Sequence, residues 1–401
     1  MQNKLSRKAL VLTFRHPYGA TDMMAASIAA ALKLNGYDAT IATMYTSEFG
    51  QQLASALSDS DLELVISTGV SPLKVILNQE RTFLWRFIPK HVLFVTIIVD
   101  ALPYDFKTSA FVSFMDDFPR LDNLVIVSYE KNIAGILSAF SGKKVYHMPT
   151  GATLVPFLRE EPEHTDRLMF WGSVEAELAK TDHTSDLLTA IRSHNRWNLS
   201  EQQIRKVTDF IIGADEPYAL GALSQALDIP VDVMLRNQWI DELCIIDSAI
   251  KRYRRAFLIE SLQDFPLDIY GKNWEKYVGP ASAIRLRQPE PDHNLAFGHI
   301  CQHYAGVVNI DPNWGDGTNE RAITALTMGV RVATNKNKRI ENTVGCYQYS
   351  LNRDSIRAAC SQALNGIKPG APLAEATWEY LIGRFLMEVS ADIRSRTLGR
   401  R

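Results

Sequence analysis

The residues from Val307 to Asn335, VVNIDPNWGDGTNERAITALTMGVRVATN, place Gly315, Gly317, Thr318 and Asn319 between a short apolar run and an alanine-rich segment of helical character. The first N–H groups of a helix have no intrahelical acceptor, and the aligned peptide dipoles add partial positive charge there. Glycines ahead of such a helix let the backbone approach a ligand, which suits an anion such as phosphate. Thr318 and Asn319 can add side-chain hydrogen bonds to that anion, and either can equally serve as an ordinary N-cap. Taken alone, the loop leaves both readings open.

Other chemistries find less support. Cys244, Cys301, Cys346 and Cys360 are far apart, form no CxxC pair and read as reduced thiols. Among the nine histidines there is no HExxH. His299 and His303 have the spacing of one helix face, but no third and fourth ligand lies nearby, so no metal is expected. The adjacent acids in MDDFP make no convincing DxD loop, and neither GxSxG nor a P-loop is present. A net charge of −2 provides no field for nucleic acid.

These residues need a scaffold, and the chain is long enough for two. At 401 residues, with 46% hydrophobic and 22% charged residues, it has ordinary globular composition and predicts two domains of roughly 150 to 200 residues. The first part alternates strand and helix. KALVLTF, DATIATM, LELVIST, HVLFVTIIVD, NLVIVSY and KVYHMP read as buried parallel strands, and DMMAASIAAALKLNG as a helix closed by Gly36. No GxGxxG follows the first strand, so the domain is Rossmann-like without the dinucleotide fingerprint. A polar, proline-containing piece from Arg159 to Asp166 is the linker candidate. The pattern then restarts at RLMFWGS, passes a helical insertion at about 185–262, and resumes with LDIYGKNW, VVNI and VRVAT before two closing helices. The domains are therefore expected at 1–158 and 159–401. Ligands of such sheets bind at the strand C-terminal ends, and a cleft between the two domains is expected there. HVLFVTIIV is too short to cross a bilayer, and no cleavage site follows the N-terminal apolar segment, so a cytoplasmic location is the expectation. The abruptly basic end ADIRSRTLGRR reads as a solvated helix end, a junction to further domains, or a peripheral contact with the inner face of the membrane.

In element order the chain resembles a GT-B glycosyltransferase, most closely from Leu267 to Thr334. LDIYGKNW is similar to the strand and turn after which such enzymes hold the donor nucleotide. VVNIDPNWGDGTNERAITALTMGVRVAT resembles the segment that holds donor phosphate and ribose, LMFWGS the first strand and glycine turn of the donor domain, and VYHMPTGA the tail of the acceptor domain. One departure stands out. Many GT-B enzymes carry a ribose-binding glutamate five residues before the helix-ending glycine, and counting back from Gly329 gives Thr324. The clamp is missing unless Glu320, one helical turn earlier, replaces it, which leaves room for a nucleoside monophosphate sugar. The whole chain is similar to the retaining β-Kdo transferases of bacterial surface polysaccharide synthesis, whose modules are often joined to further glycosyltransferase domains.

That resemblance implies transfer of Kdo from CMP-β-Kdo to a glycan acceptor in lipopolysaccharide O-antigen or capsule synthesis, with no cofactor. The leaving phosphate needs its charge stabilised, a task for Gly317, Thr318 and Asn319 and for Gly172 and Ser173 in the WGS turn. Tyr270, Gly271, Lys272 and Asn273 stand in line for phosphate or cytosine, and Lys272 reads equally as a solvated lysine. The Kdo carboxylate calls for an arginine fork, with Arg321 first, then Arg339, and Arg15 placed on the acceptor side. Arg15, His16, Tyr18 and Asp22 follow the first strand and face the acceptor; Asp22 reads also as an N-cap, and His147 and Asp100 rank below these. The family's nucleophile is an aspartate, and the resemblance brings Asp232 in LDIPVDVMLRN forward for it. From its own residues Asp232 reads as an N-cap at a turn or helix start, since Pro230, Val231 and Val233 interrupt helix propensity. Asp241, Glu242 and Asp247 are alternatives whose spacing suggests a solvated helix face. A GT-B enzyme using a nucleoside diphosphate sugar, a sugar-nucleotide epimerase of the same fold, and a non-catalytic two-domain sugar-binding protein remain as rival readings.

Overall fold

The computed structural model describes residues 7–14, 20–77, 80–99, 102–153, 165–174, 189, 192, 199–213, 219–236, 240–287, 293–311, 317, 319–370 and 373–398. They form two compact units: Met1–Asp100 with Thr108–Leu154 and Leu373–Arg401, and Ala101–Lys107 with Val155–Pro372. Each is built on its own parallel six-stranded sheet.

In the first unit the sheet comprises β1 (Arg7–Phe14), β2 (Tyr37–Met44), β3 (Leu62–Thr68), β6 (Leu93–Ile98), β7 (Leu124–Ser128) and β8 (Tyr146–His147), in the order β2-β1-β3-β6-β7-β8. An antiparallel hairpin, β4 (Lys74–Leu77) with β5 (Glu80–Phe83), stands outside that sheet. The strands β1, β3, β6 and β7 are near-continuous buried runs, as parallel strands covered on both faces require, whereas the edge strand β2 exposes several of its residues. One face packs Ala9, Val11, Ile66, Val95 and Val127 against Ala25, Ile28 and Leu32 of the helix Ala20–Leu34. The helix Trp378–Leu398, at the far end of the sequence, joins the same cluster through Trp378, Leu381, Ile382, Phe385 and Val389, a helical-period stripe. A single boundary at residue 158 places this helix with the donor domain; its apolar stripe instead completes the core of the first unit. Polar contacts fix its register, with Lys144 Nζ 3.1 Å from Glu388 and 2.7 Å from Asp392, and Tyr146 OH donating to Asp392 at 2.7 Å.

The second sheet contains β9 (Thr165–Trp171), β10 (Leu267–Tyr270), β11 (Arg285–Arg287), β12 (Tyr304–Asn309), β13 (Arg331–Asn335) and β14 (Cys346–Tyr349). Its order, β11-β10-β9-β12-β13-β14, is the doubly wound arrangement in which strand order reverses between β9 and β12. Between β9 and β10 the described chain is helical, with helices at Glu201–Gly213, Ala219–Leu227, Val231–Arg236 and Ile240–Glu260. This is the expected insertion. The strands β11 and β14 were not anticipated, because RLR is only three residues long and CYQY shows no alternation of apolar and polar residues. His303 falls in a turn beyond the helix His293–Cys301, so it does not share a helix face with His299.

Candidate donor site

A doubly wound sheet binds ligands where its strand order reverses, outside the strand C-termini. In the second unit this point lies between the Gly172–Ser173 turn after β9 and the segment after β12. The turns following β9 and β10 are laced together. Lys272 N–H donates to Ser173 Oγ at 3.0 Å, Asn273 Nδ2 to the Val174 carbonyl at 2.7 Å, and Trp274 Nε1 to the Gly172 carbonyl at 2.6 Å. A Cβ on Gly271 would run into the Gly172 carbonyl oxygen, so the close approach requires glycine. Tyr270 stacks on Trp171 with ring centroids 5.0 Å apart, and its hydroxyl lies 3.0 Å from that of Tyr304. The side chain of Lys272 is exposed.

Beyond β12, the helix Glu320–Thr327 is capped by Asn319, whose Oδ1 accepts from the N–H groups of Arg321 at 2.9 Å and Ala322 at 3.3 Å. Its Nδ2 donates to Asn309 Oδ1 at 2.9 Å, so the Asn319 side chain is committed to holding the loop. The buried Asp311 carboxylate accepts the Asn319 backbone N–H at 3.1 Å, and the Asn335 side chain bonds both backbone groups of Asp311. Asn337 Nδ2 donates to the carbonyl of the buried Gly317, while Asn337 Oδ1 accepts from Arg339 N–H at 3.0 Å. The ends of β12 and β13 thus form a polar frame around Asp311. The helix ends at Gly329, with φ 77°, and Val330 N–H reaches back to the Ala325 carbonyl at 2.8 Å.

Inside this frame stand two arginines. Arg321 is half-buried, and a Cβ on Gly172 would lie 3.4 Å from its Nη1, so the guanidinium rests against the turn after β9. Among the described residues, Nη1 of Arg339 is buried without a hydrogen-bond partner. Burial pulls Arg321 down to about 10; neighbouring Arg255 acts the same way, while Asp311 and Glu320 oppose it. Burial also pulls Arg339 down to about 10 against the opposing charge of Asp311. Both remain cationic at neutral pH. Burial pushes the half-buried Glu320 carboxyl up to about 8, with Arg321 opposing, so Glu320 holds its proton at neutral pH. Neutral Glu320 offers a hydrogen-bond donor; the two guanidinium groups offer forks for an anion.

The remaining sequence candidates are spread more widely. Asp232 is half-buried in the first turn of the short helix Val231–Arg236, where Met234 N–H donates to the Pro230 carbonyl at 3.1 Å. Of the alternatives, Asp241 is exposed beside Lys107 at 3.2 Å. Glu242 and Asp247 are buried, which corrects the expected solvated face: the helix Ile240–Glu260 is packed around much of its girth, and Asp247 pairs with Lys251 at 2.9 Å. In the first unit the helix after β1 starts at Ala20, so Asp22 lies within its first turn and does not cap it. His147 is exposed at the end of β8. Arg15, His16, Tyr18, Asp100, Gly315 and Thr318 lie outside the described residues. Among the described residues no group of three or more His, Cys, Asp or Glu is placed to hold a metal ion. Asp311 and Arg255 escaped sequence reasoning. Asp311 does sit just past a strand end, whereas Arg255 lies in the run KRYRRAF, which reads as an ordinary basic helix.

No protein-family model and no curated protein matches the chain. Among solved structures it is similar to a glycosyltransferase from Rickettsia africae ESF-5, with 11% identity over 97% of this chain and 98% of that one and a TM-score of 0.46. An α-glucosyltransferase in complex with UDP and a 13-mer DNA matches at 10% identity over 97% and 99% of the two chains, with a TM-score of 0.46. The S. aureus MnaA–UDP co-structure matches at 10% identity over 96% and 97%, with a TM-score of 0.41. Likeness this faint assigns neither reaction nor substrate. The fold class is GT-B. It is read from the chain itself, which carries two Rossmann-like parallel sheets with their helices.

Proposed function

We propose that the protein is a retaining glycosyltransferase that moves Kdo from CMP-β-Kdo to a glycan acceptor. The observation carrying this reading is the pair Arg321 and Arg339, two half-buried cations beyond the ends of β12 and β13 that both face the charge of Asp311. A nucleoside monophosphate sugar acid has two anionic groups, a phosphate and a carboxylate, and this pair of guanidinium forks matches them. Gly172 and Gly317 give backbone access beside the phosphate, and neutral Glu320 serves a donor hydroxyl in place of the missing ribose clamp. In the first step the Asp232 carboxylate attacks the anomeric carbon while the bond to the phosphate oxygen breaks and its electron pair stays on CMP. The acceptor oxygen then displaces the Asp232 carboxylate while its hydroxyl proton passes to water, so two inversions give retention. Arg15, His16, Tyr18 and Asp22 are assigned to the acceptor. The cationic groups replace a divalent metal at the leaving phosphate, so EDTA leaves transfer from purified donor unchanged.

The deciding experiment uses wild type and Asp232→Asn with donor alone. Intact-protein mass spectrometry should show one added Kdo mass on wild type and none on the variant, which should still bind CMP. An Asp232→Asn protein that transfers Kdo, shown free of deamidation, overturns the nucleophile. Binding of UDP or GDP in preference to CMP overturns the donor.

A further inference from the structure

We propose that the first unit carries a saccharide-binding cleft of its own, which grips a neutral stretch of the acceptor glycan away from the reacting end. This rests on reading the acceptor as a glycan. The cleft measures about 610 Å³ and lies between the sheet edge and the helix Phe49–Leu57. That volume falls within the roughly 300 to 1,000 Å³ of small-molecule sites. Its floor follows from strand register. Lys8 pairs with Asp38 and Leu10 with Thr40 across β1 and β2, so these four side chains share one face of the sheet. The opposite face carries Ala9, Tyr37 and Ala39 into the core. On the cleft side Asp38 and Thr40 are exposed, since β2 is an edge strand and the nine-residue helix beside it buries only Leu53.

The wall is one helix face, where Gln51 and Ser55 stand four residues apart, as do Gln52 and Ala56. Among the described residues, the side chains of Asp38, Thr40, Gln51, Gln52 and Ser55 make no hydrogen bond to the rest of the protein. The two carboxamides and two hydroxyls both donate and accept, and the Asp38 carboxylate accepts. A sugar hydroxyl likewise does both, so a ring bearing several of them can satisfy this set. A phosphate only accepts, and it would leave the acceptors facing it unmet. Charge agrees with this choice. Of the residues lining the cleft only Lys8 is cationic, and it is held by Asp59 at 2.6 Å; with Asp38 adding a second carboxylate, an anion meets no free positive charge. Ile41, 38% exposed, offers an apolar surface to the C–H face of a ring. Arg15 and His16, assigned to the reacting end of the acceptor, follow Phe14 in the chain, whereas the cleft lies at the Lys8 end of β1. At about 3.3 Å per residue these ends are roughly 20 Å apart, so a glycan that reaches both is several sugars long.

The test is a glycan array probed with the full chain and no donor, printed with neutral glucose, galactose, mannose and N-acetylglucosamine oligosaccharides from disaccharide to hexasaccharide and with uronic acid counterparts. Wild type should bind neutral glycans, and calorimetry on the best series should show the longer members binding more tightly. The double variant Gln51→Ala, Gln52→Ala should lower that affinity at least about tenfold and Thr40→Val about threefold, in keeping with ordinary hydrogen bonds. All three positions are exposed, so melting temperatures should hold, and if the double variant does not fold, Thr40→Val decides. The variants should bind CMP and take up the Kdo adduct from donor alone as wild type does. No neutral glycan bound by wild type, binding confined to acidic glycans, no gain with length, or an affinity that the folded variants leave unchanged overturns the proposal. Neutral-glycan binding that the variants weaken, in a protein that forms no Kdo adduct, supports the cleft and overturns only the donor reading.

Discussion

Arg321 and Arg339 are cations that burial disfavours, and a protein keeps such groups where an anion comes to meet them. Replacing Arg339 with Gln should weaken CMP-Kdo binding by the worth of a charged hydrogen bond, about 1.5 to 3 kcal/mol, with little loss of fold stability. Calorimetry on the folded variant checks this, and unchanged affinity removes Arg339 from the site. Glu320 carries a second expectation. Its folded carboxyl stands at about 8 against an ordinary 4.5, so between those values the folded state binds more protons than the unfolded one. Stability from this group is complete below about 4.5 and declines as pH rises toward 8. Glu320→Gln should flatten that decline and melt above wild type at pH 8, as read by thermal melts across the window; parallel wild-type and variant curves would contradict it. At this scale the sequence was informative only in part. Arg321 and Glu320 were visible because they adjoin a recognisable loop, while Asp311 and Arg255 derive their importance from neighbours more than fifty residues distant in some cases, such as Arg255 and Ser173 at a separation of 82. Spacing along the chain does not encode such meetings.

The elements around the site are held by polar contacts more specific than their apolar pattern. Asn319 is both the N-cap of Glu320–Thr327 and the donor to Asn309, whose Nδ2 in turn reaches Thr334 Oγ1 at 3.1 Å. Asn319→Ala should cost about 1 to 2 kcal/mol for the lost cap, with a further loss for the buried Asn309 acceptor left without that partner. Asn319→Asp keeps the cap but not the amide donor, so chemical denaturation of the two variants separates the terms. A cost near zero for both would mean that the loop does not depend on this frame. The loop glycines and the cap were legible because helix starts have a strong local chemistry. The capping and phosphate readings of Asn319 could not be separated in the sequence, since one side chain suits either role; the structure assigns it the cap. Strands with long apolar runs were legible for the same local reason, and the short β11 and β14 were not, since strands of three and four residues leave no period to read.

On the scale of the whole molecule, the alternation of strand and helix was enough to predict two parallel sheets, because buried parallel strands need long apolar runs and crossover helices. The return of the last helix to the first unit was not predictable that way, since an apolar stripe shows that a helix packs without showing on what. In the structure that stripe meets the helix Ala20–Leu34 and the first sheet, with Phe385 buried and edge-on to Tyr146 at 6.0 Å. A buried phenylalanine cut to alanine typically costs about 3 to 5 kcal/mol, a large part of the stability of one domain. Phe385→Ala should therefore loosen the first unit, although its position in the sequence follows every strand of the second. The second unit has a separate core, in which Leu168, Phe170, Leu267, Ile269 and Val308 pack with the helix Arg353–Asn365. Hydrogen exchange read by peptide should show faster exchange in β1, β3 and β6, while β9, β12 and β13 keep wild-type protection. CMP binding to the variant should persist for the same reason. Equal loss of protection in both sheets would mean that the two cores unfold as one, and loss confined to β9, β12 and β13 would place the helix with the other unit.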